Sequence, residues 1–140
     1  MKKFLTILLL LIIGLAFIAC DDKPKDDPKT QTTIITTSFG DITVTGYLTN
    51  AEWEGVPNKI KTALNSAYTF VGPVAAGIIS AKSITVFVEK NPSYANYSTT
   101  LNGNTIHINY AIVNNASNLQ TAINRSCWVL SGDDEVPTVG

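Results

Sequence analysis

The stretch Ser83-Ile84-Thr85-Val86-Phe87-Val88-Glu89 sets Ile84, Val86, Phe87 and Val88 among β-favouring residues, with three apolar side chains in unbroken succession. It is too short for a stable helix, and consecutive apolar positions are what a strand inside a sheet requires, so it predicts a central strand. Asn91-Pro92 ends it, because proline has no amide proton to give to a ladder. A central strand needs neighbours, and the chain supplies them on both sides.

Upstream, Ile34-Ile35 and Ile42-Thr43-Val44-Thr45-Gly46-Tyr47-Leu48 are β-rich runs split by Ser38-Phe39-Gly40-Asp41; the second run alternates with period two, and together they predict a hairpin. Downstream, Tyr94 to Leu101, the turn Asn102-Gly103 and Thr105 to Tyr110 predict another. Its return strand places Ile106, Ile108 and Tyr110 on one face and Thr105, His107 and Asn109 on the other.

Two segments carry helical periodicity. Trp53, Val56, Ile60, Ala63, Leu64, Ala67 and Val71 recur at three- and four-residue steps, opposite Asn58, Lys59, Lys61, Thr62 and Asn65. Pro57 suits a first helical position, so the regular helix starts there and Ala51 to Gly55 form a separate short turn. Gly72-Pro73 and a short apolar stretch, Val74 to Ile79, lead into the central strand. Ser117 and Gln120 have capping-box spacing, predicting a helix from Asn118 to Leu130 that Gly132 closes, with Leu119, Ala122, Ile123, Ser126 and Leu130 inward. The expected fold class is α+β: a small mixed domain of two hairpins, a central strand and two amphipathic helices. It spans residues 34–134 and is followed by a frayed tail at 135–140.

The N-terminus reads differently. Lys2-Lys3 precede an apolar run from Phe4 to Phe17, then Ile18, the small residue Ala19, and Cys20. A simple secretory cut after Ala19 would want a small residue at position 17, where Phe17 stands. A retained membrane helix needs about 20 apolar residues, and this run is shorter and ends at Asp21-Asp22. Residues 20–33 hold four Asp, three Lys and two Pro with no apolar side chain beyond the cysteine, which predicts a disordered charged tether.

Taken together, these residues resemble the bacterial lipoprotein class. The resemblance implies cleavage between Ala19 and Cys20 of a signal peptide at 1–19, and an S-diacylglyceryl, N-acylated Cys20 that anchors the chain in a membrane. Leu is usual where Phe17 stands, and this departure resembles the relaxed signals of small outer-membrane lipoproteins of spirochaetes, so the outer membrane is the expected location. Asp21 also resembles an inner-membrane retention signal of enteric bacteria.

With the signal removed, eight basic side chains face eleven acidic ones, a net charge of −3. No basic stripe for nucleic acid or anionic lipid is expected. Once Cys20 is acylated, Cys127 has no partner for an intrachain disulfide, so stability must come from packing.

Candidates for chemistry are few. His107 is the sole histidine, which excludes any two-histidine metal site, and its polar strand neighbours predict a surface position. A Ser-His-Asp arrangement would need Ser98 or Ser117 with Asp41 brought to it, and no nucleophile-elbow sequence surrounds either serine. Cys127 flanks the inward stripe of the last helix and is expected to be buried. Trp128 lies opposite that stripe, where a large aromatic needs cover from a second element or a partner. Asn96-Tyr97-Ser98, Asn115-Ala116-Ser117 and Asn124-Arg125-Ser126 match a glycosylation pattern by chance in an Asn-rich chain, and Asp133-Asp134-Glu135 reads as a solvated tail.

The order helix, strand, hairpin, helix, with Asn104-Thr105-Ile106-His107-Ile108-Asn109 ahead of the last helix, resembles the N-terminal core of zincin metallopeptidases. That resemblance implies H-E-x-x-H on the last helix; the corresponding Asn124-Arg125-Ser126-Cys127-Trp128 lacks both histidines and the glutamate, so it implies a dead scaffold without metal. The expected function is a non-enzymatic, lipid-anchored outer-membrane lipoprotein: a structural, host-facing or partner-binding module, without cofactor, metal or nucleic acid. The alternative is a periplasmic binding or inhibitor lipoprotein.

Overall fold

The computed structural model describes residues 25–132; the signal segment with Ala19 and Cys20, and the tail from 133 onward, lie outside the described residues. Lys29–Thr37 (β1) and Gly40–Leu48 (β2) form the first hairpin, in register from Lys29 opposite Leu48 to Thr37 opposite Gly40. The sequence reading, which ends the tether at residue 33, is therefore corrected, because Lys29–Thr33 belong to β1. Absence of apolar residues misleads here: threonine's branched side chain favours extended backbone, and the segment is ordered by its ladder and by cross-strand hydroxyl pairs such as Thr32 and Thr45, 2.9 Å apart. Asp26 is fixed too, its carboxylate accepting from the amides of Asn50 (2.6 Å) and Ala51 (2.9 Å).

The expected short turn after β2 is the small helix α1, Asn50–Trp53, opened by a Thr49/Glu52 capping box. The long amphipathic helix α2, Val56–Val71, has Pro57 in its first turn, where a missing amide costs nothing. Gly72 stops it at φ +92°, which other residues adopt only under strain, and Pro73–Ser80 continue as α3. The stretch Val74 to Ile79, which carries no helical period of its own, is thus a helix that buries Ala76 and Ile79.

The strands Thr85–Glu89 (β3), Tyr97–Thr100 (β4) and Thr105–Asn109 (β5) complete a five-stranded sheet in the order β1-β2-β3-β5-β4. Pairing is antiparallel at both margins and parallel between β2, β3 and β5. The predicted central strand is central, but its burial alternates: Ile84, Val86 and Val88 are enclosed, whereas Thr85, Phe87 and Glu89 are partly exposed. Helices cover only one face. The second hairpin turns through four residues, Leu101 to Asn104, with Asn104 in the left-handed region at φ +48°. The Asn104 side chain donates to the Lys82 carbonyl (2.9 Å) and its own carbonyl accepts from Thr85 (3.2 Å), tying this loop to the start of β3.

A 3-10 turn at Tyr110–Ile112 leads to α4, Ala116–Leu130. Its cap is Asn115, whose side chain accepts from the Asn118 amide at 3.1 Å, so the helix starts ahead of the expected Ser117 capping box. Gln120 is drawn instead to the Ala63 carbonyl of α2, at 2.9 Å.

The core lies between the α2–α4 layer and the sheet. Ile60, Leu64, Tyr68, Ile123 and Leu130 meet Val44, Val86, Ile106 and Ile108, all essentially without solvent contact. β2 and β3 approach so closely that a Cβ on Gly46 would stand 2.9 Å from the Val88 carbonyl oxygen, with Trp53 above it. The buried Thr99 hydroxyl donates to Ser126 at 3.1 Å, satisfying the polar pair. Tyr68 is enclosed beneath the edge-on ring of Phe39, centroids 5.4 Å apart, and its hydroxyl has no hydrogen-bond partner.

Candidate functional site

Because the helices cover one face, the side chains of the opposite parity form an open polar face. Across it run Thr45, Phe87, His107 and Ser98 on successive strands, and beside them Thr43, Thr85, Thr105 and Thr100. Most are hydroxyls; the chemistry concentrates at His107.

His107 Nδ1 lies 2.8 Å from Glu89 Oε1, and its Nε2 lies 3.1 Å from Thr100 Oγ1. A carboxylate only accepts, so Nδ1 carries the proton, and in the neutral ring Nε2 accepts from the Thr100 hydroxyl. Phe87 and Tyr94 present their rings edge-on to the imidazole, at 6.0 and 6.4 Å. The Tyr94 hydroxyl is enclosed without a hydrogen-bond partner. Burial, and secondarily the nearby Glu89 carboxylate, make the phenol a weaker acid, raising its pKa well above the ordinary value. Asn109, on the same face, holds the loop above, donating to the Ala95 carbonyl at 2.7 Å.

His107 is thus not simply exposed: its side chain is one quarter accessible and held on both nitrogens. Of the serines considered for it, Ser98 stands directly across the β4–β5 pair yet the bond goes to Thr100, and Ser117 is exposed in the first turn of α4. Asp41 sits at the start of β2, where its carboxylate accepts from Thr36 at 2.9 Å. The residues that do meet His107, Glu89 and Thr100, are not singled out by local sequence. Their signal is parity: Glu89 shares a face with Phe87, and β3 pairs in parallel with β5, but that pairing is not written in either strand.

Chemically the line is hydroxyl, imidazole, carboxylate. Thr100 lies flat within an edge strand, exposed, rather than on the sharp strand-to-helix turn that lifts a nucleophile toward a substrate. Among the described residues no group of three His, Cys, Asp or Glu side chains could hold a metal ion.

In α4, Cys127 is fully buried as expected, and burial pushes its thiol up to about 12. Trp128 is half-buried, its ring 5.6 Å from that of Phe70 and tilted by 50°, so a second element gives it partial cover. A cleft of about 290 Å³ separates the starts of α2 and α4, with Ala63, Val113 and Leu119 among its lining. Its polar rim is occupied with itself: Lys59 donates to the Asn114 side chain, and Gln120 to both Ala63 and Asn124. No helix among the described residues is long and apolar enough to cross a membrane.

No family model matches the chain, and no curated protein or solved structure matches it either.

Proposed function

We propose that this protein is a lipid-anchored outer-membrane lipoprotein, acylated at Cys20, whose domain is a non-enzymatic module that recognises a partner through its open sheet face. The observation that carries the reading is the N-terminal order of two lysines, an apolar run, Ala19 and Cys20, followed six residues later by Asp26, which is bonded to α1. Six residues span at most about 22 Å, so an acylated Cys20 would hold the domain close to its bilayer. Two or more acyl chains make such an anchor durable, where one binds only marginally.

Support for the recognition role comes from the site. Thr100, His107, Glu89 and Tyr94 form a fixed polar and aromatic surface on a rigid sheet, with hydroxyls around it that can donate or accept. The test is a paired one. Labelled fatty acid should enter the wild-type chain in cells and fail to enter Cys20→Ser; crosslinking from the open face should capture a partner that His107→Ala loses while remaining folded. Hydrolysis of peptide, ester or glycan substrates abolished by His107→Ala would instead favour a catalytic reading of the same line.

A further inference from the structure

The formal charge of the chain hides a segregation that folding makes visible. From Val56 to Gly132 the sole carboxylate is Glu89, and it lies on the open sheet face. The charged side chains of the helical layer are Lys59 and Lys61 on α2 and Arg125 on α4, all exposed, with Lys82 just past α3. All four are positive. Glu52 and Glu54 belong to α1 and the turn after it, ahead of the start of α2 that carries Lys59 and Lys61, and Glu52 is paired with Lys90 at 2.6 Å.

The same side carries exposed apolar groups. Phe70 at the end of α2 is 60% exposed, and Val74 and Ile78 on α3 are 79% and 43% exposed. Trp128 packs on Phe70 from α4. α3 touches both α2 and α4, which gathers these residues at one end of the layer. Aromatic and aliphatic side chains that share a surface with lysine and arginine, and among the described residues of α2, α3 and α4 with no acid, are the composition of a surface that settles into the headgroup region of an anionic bilayer. The N-terminal segment enters on this side too: Asp26 is bonded to α1, whose Trp53 packs on the helix-covered face of the sheet at Gly46.

We infer that the α2–α3–α4 face, with Phe70, Val74, Ile78 and Trp128 at its α3 end and Lys59, Lys61, Lys82 and Arg125 distributed along it, docks directly on an anionic lipid surface. The domain then lies helix side down and presents Glu89, His107 and Thr100 away from the membrane. This orientation builds on the anchor proposed above, but the lipid contact is a property of the domain without its acyl chains.

The experiment uses the chain from Asp21 to Gly140, which keeps every core residue, sedimented with phosphatidylcholine vesicles and with phosphatidylcholine doped with phosphatidylglycerol at about a third of the lipid. Although this chain is net negative, it should partition at least about tenfold more onto the anionic vesicles. Lys61→Glu with Arg125→Glu should bring that ratio close to unity. Val74→Asp should weaken binding about fivefold, and each variant should melt as the parent does, because these side chains are exposed. Equal partition onto both vesicles, or anionic binding indifferent to these substitutions, would overturn the inference. So would binding that appears only when residues 133–140 are deleted, which assigns the face to the acidic tail, or a dimer broken by Val74→Asp with no vesicle binding. Mass analysis of the mature N-terminus reads the anchor separately, so failure of either leaves the other standing.

Discussion

Glu89 and His107 meet across two parallel strands, Oε1 to Nδ1 at 2.8 Å, although neither is opposite the other in the ladder: Glu89 faces Asn109 and His107 faces Phe87. The contact is a diagonal one between partly exposed side chains, and such pairs contribute little to stability. Glu89→Gln should therefore lower stability by less than about 1 kcal/mol while releasing the imidazole from its fixed tautomer, read by chemical denaturation together with the nitrogen shifts of His107. A loss of several kcal/mol would show that the line is a structural strut and not a recognition surface.

Tyr68 carries the opposite burden. It fills the core between α2 and the first hairpin, with an enclosed hydroxyl that has no partner. Removing an unsatisfied polar atom without changing shape is neutral or favourable, so Tyr68→Phe should leave stability unchanged or raise it by up to about 1 kcal/mol. Tyr68→Ala should cost about 3–5 kcal/mol, as loss of a large buried aromatic does. Thermal melting of both variants distinguishes the two contributions.

Alkaline pH should destabilise the fold. Burial pushes both the Cys127 thiol and the Tyr68 phenol up to about 12, from ordinary values of 9.0 and 10.0. Between the unfolded and folded values the unfolded chain has lost these protons and the native one retains them, so stability is full below pH 9 and falls as pH climbs toward 12. Cys127→Ala should flatten the first part of that decline. Alkylation of Cys127 at pH 8 should track global unfolding rather than thiol ionisation in the native state.

At the acid end the sensitive point is Asp26. The amides of Ala51 and Asn50, in that order, hold its carboxyl below the usual value of 3.8. The contact is thus intact above that value and is lost as pH falls through the lowered one. Hydrogen exchange at Asn50 and Ala51 should accelerate in Asp26→Ala at neutral pH and in the parent only in strong acid, with the core strands unaffected.

Sequence alone makes the element types legible where periodicity is strong: the β2 alternation, the α2 stripe, the central place of Ser83–Glu89, and the burial of Cys127. It fails where tertiary context decides. Lys29–Thr33 is ordered by backbone pairing with β2 rather than by burial, which a hydropathy reading does not detect. Val74 to Ile79 is too short and too uniformly apolar to show a helical period, and it becomes a helix between Gly72 and α2–α4 packing. The start of α4 shifts because Asn115 outcompetes Ser117 as cap while Gln120 is drawn to α2. Of the candidate site, His107 is visible by being unique; Glu89 and Thr100 depend on which strands lie side by side, and the positive helical face depends on Glu89 pointing to the other side of the sheet.

Intact mass and fragmentation of the mature protein, extracted from its native envelope, test the central claim most directly. The account predicts a chain that begins at Cys20, carries acyl groups on its sulfur and its amine, and contains nothing of residues 1–19. A chain that retains Met1, or begins elsewhere with an unmodified Cys20 thiol, would contradict it.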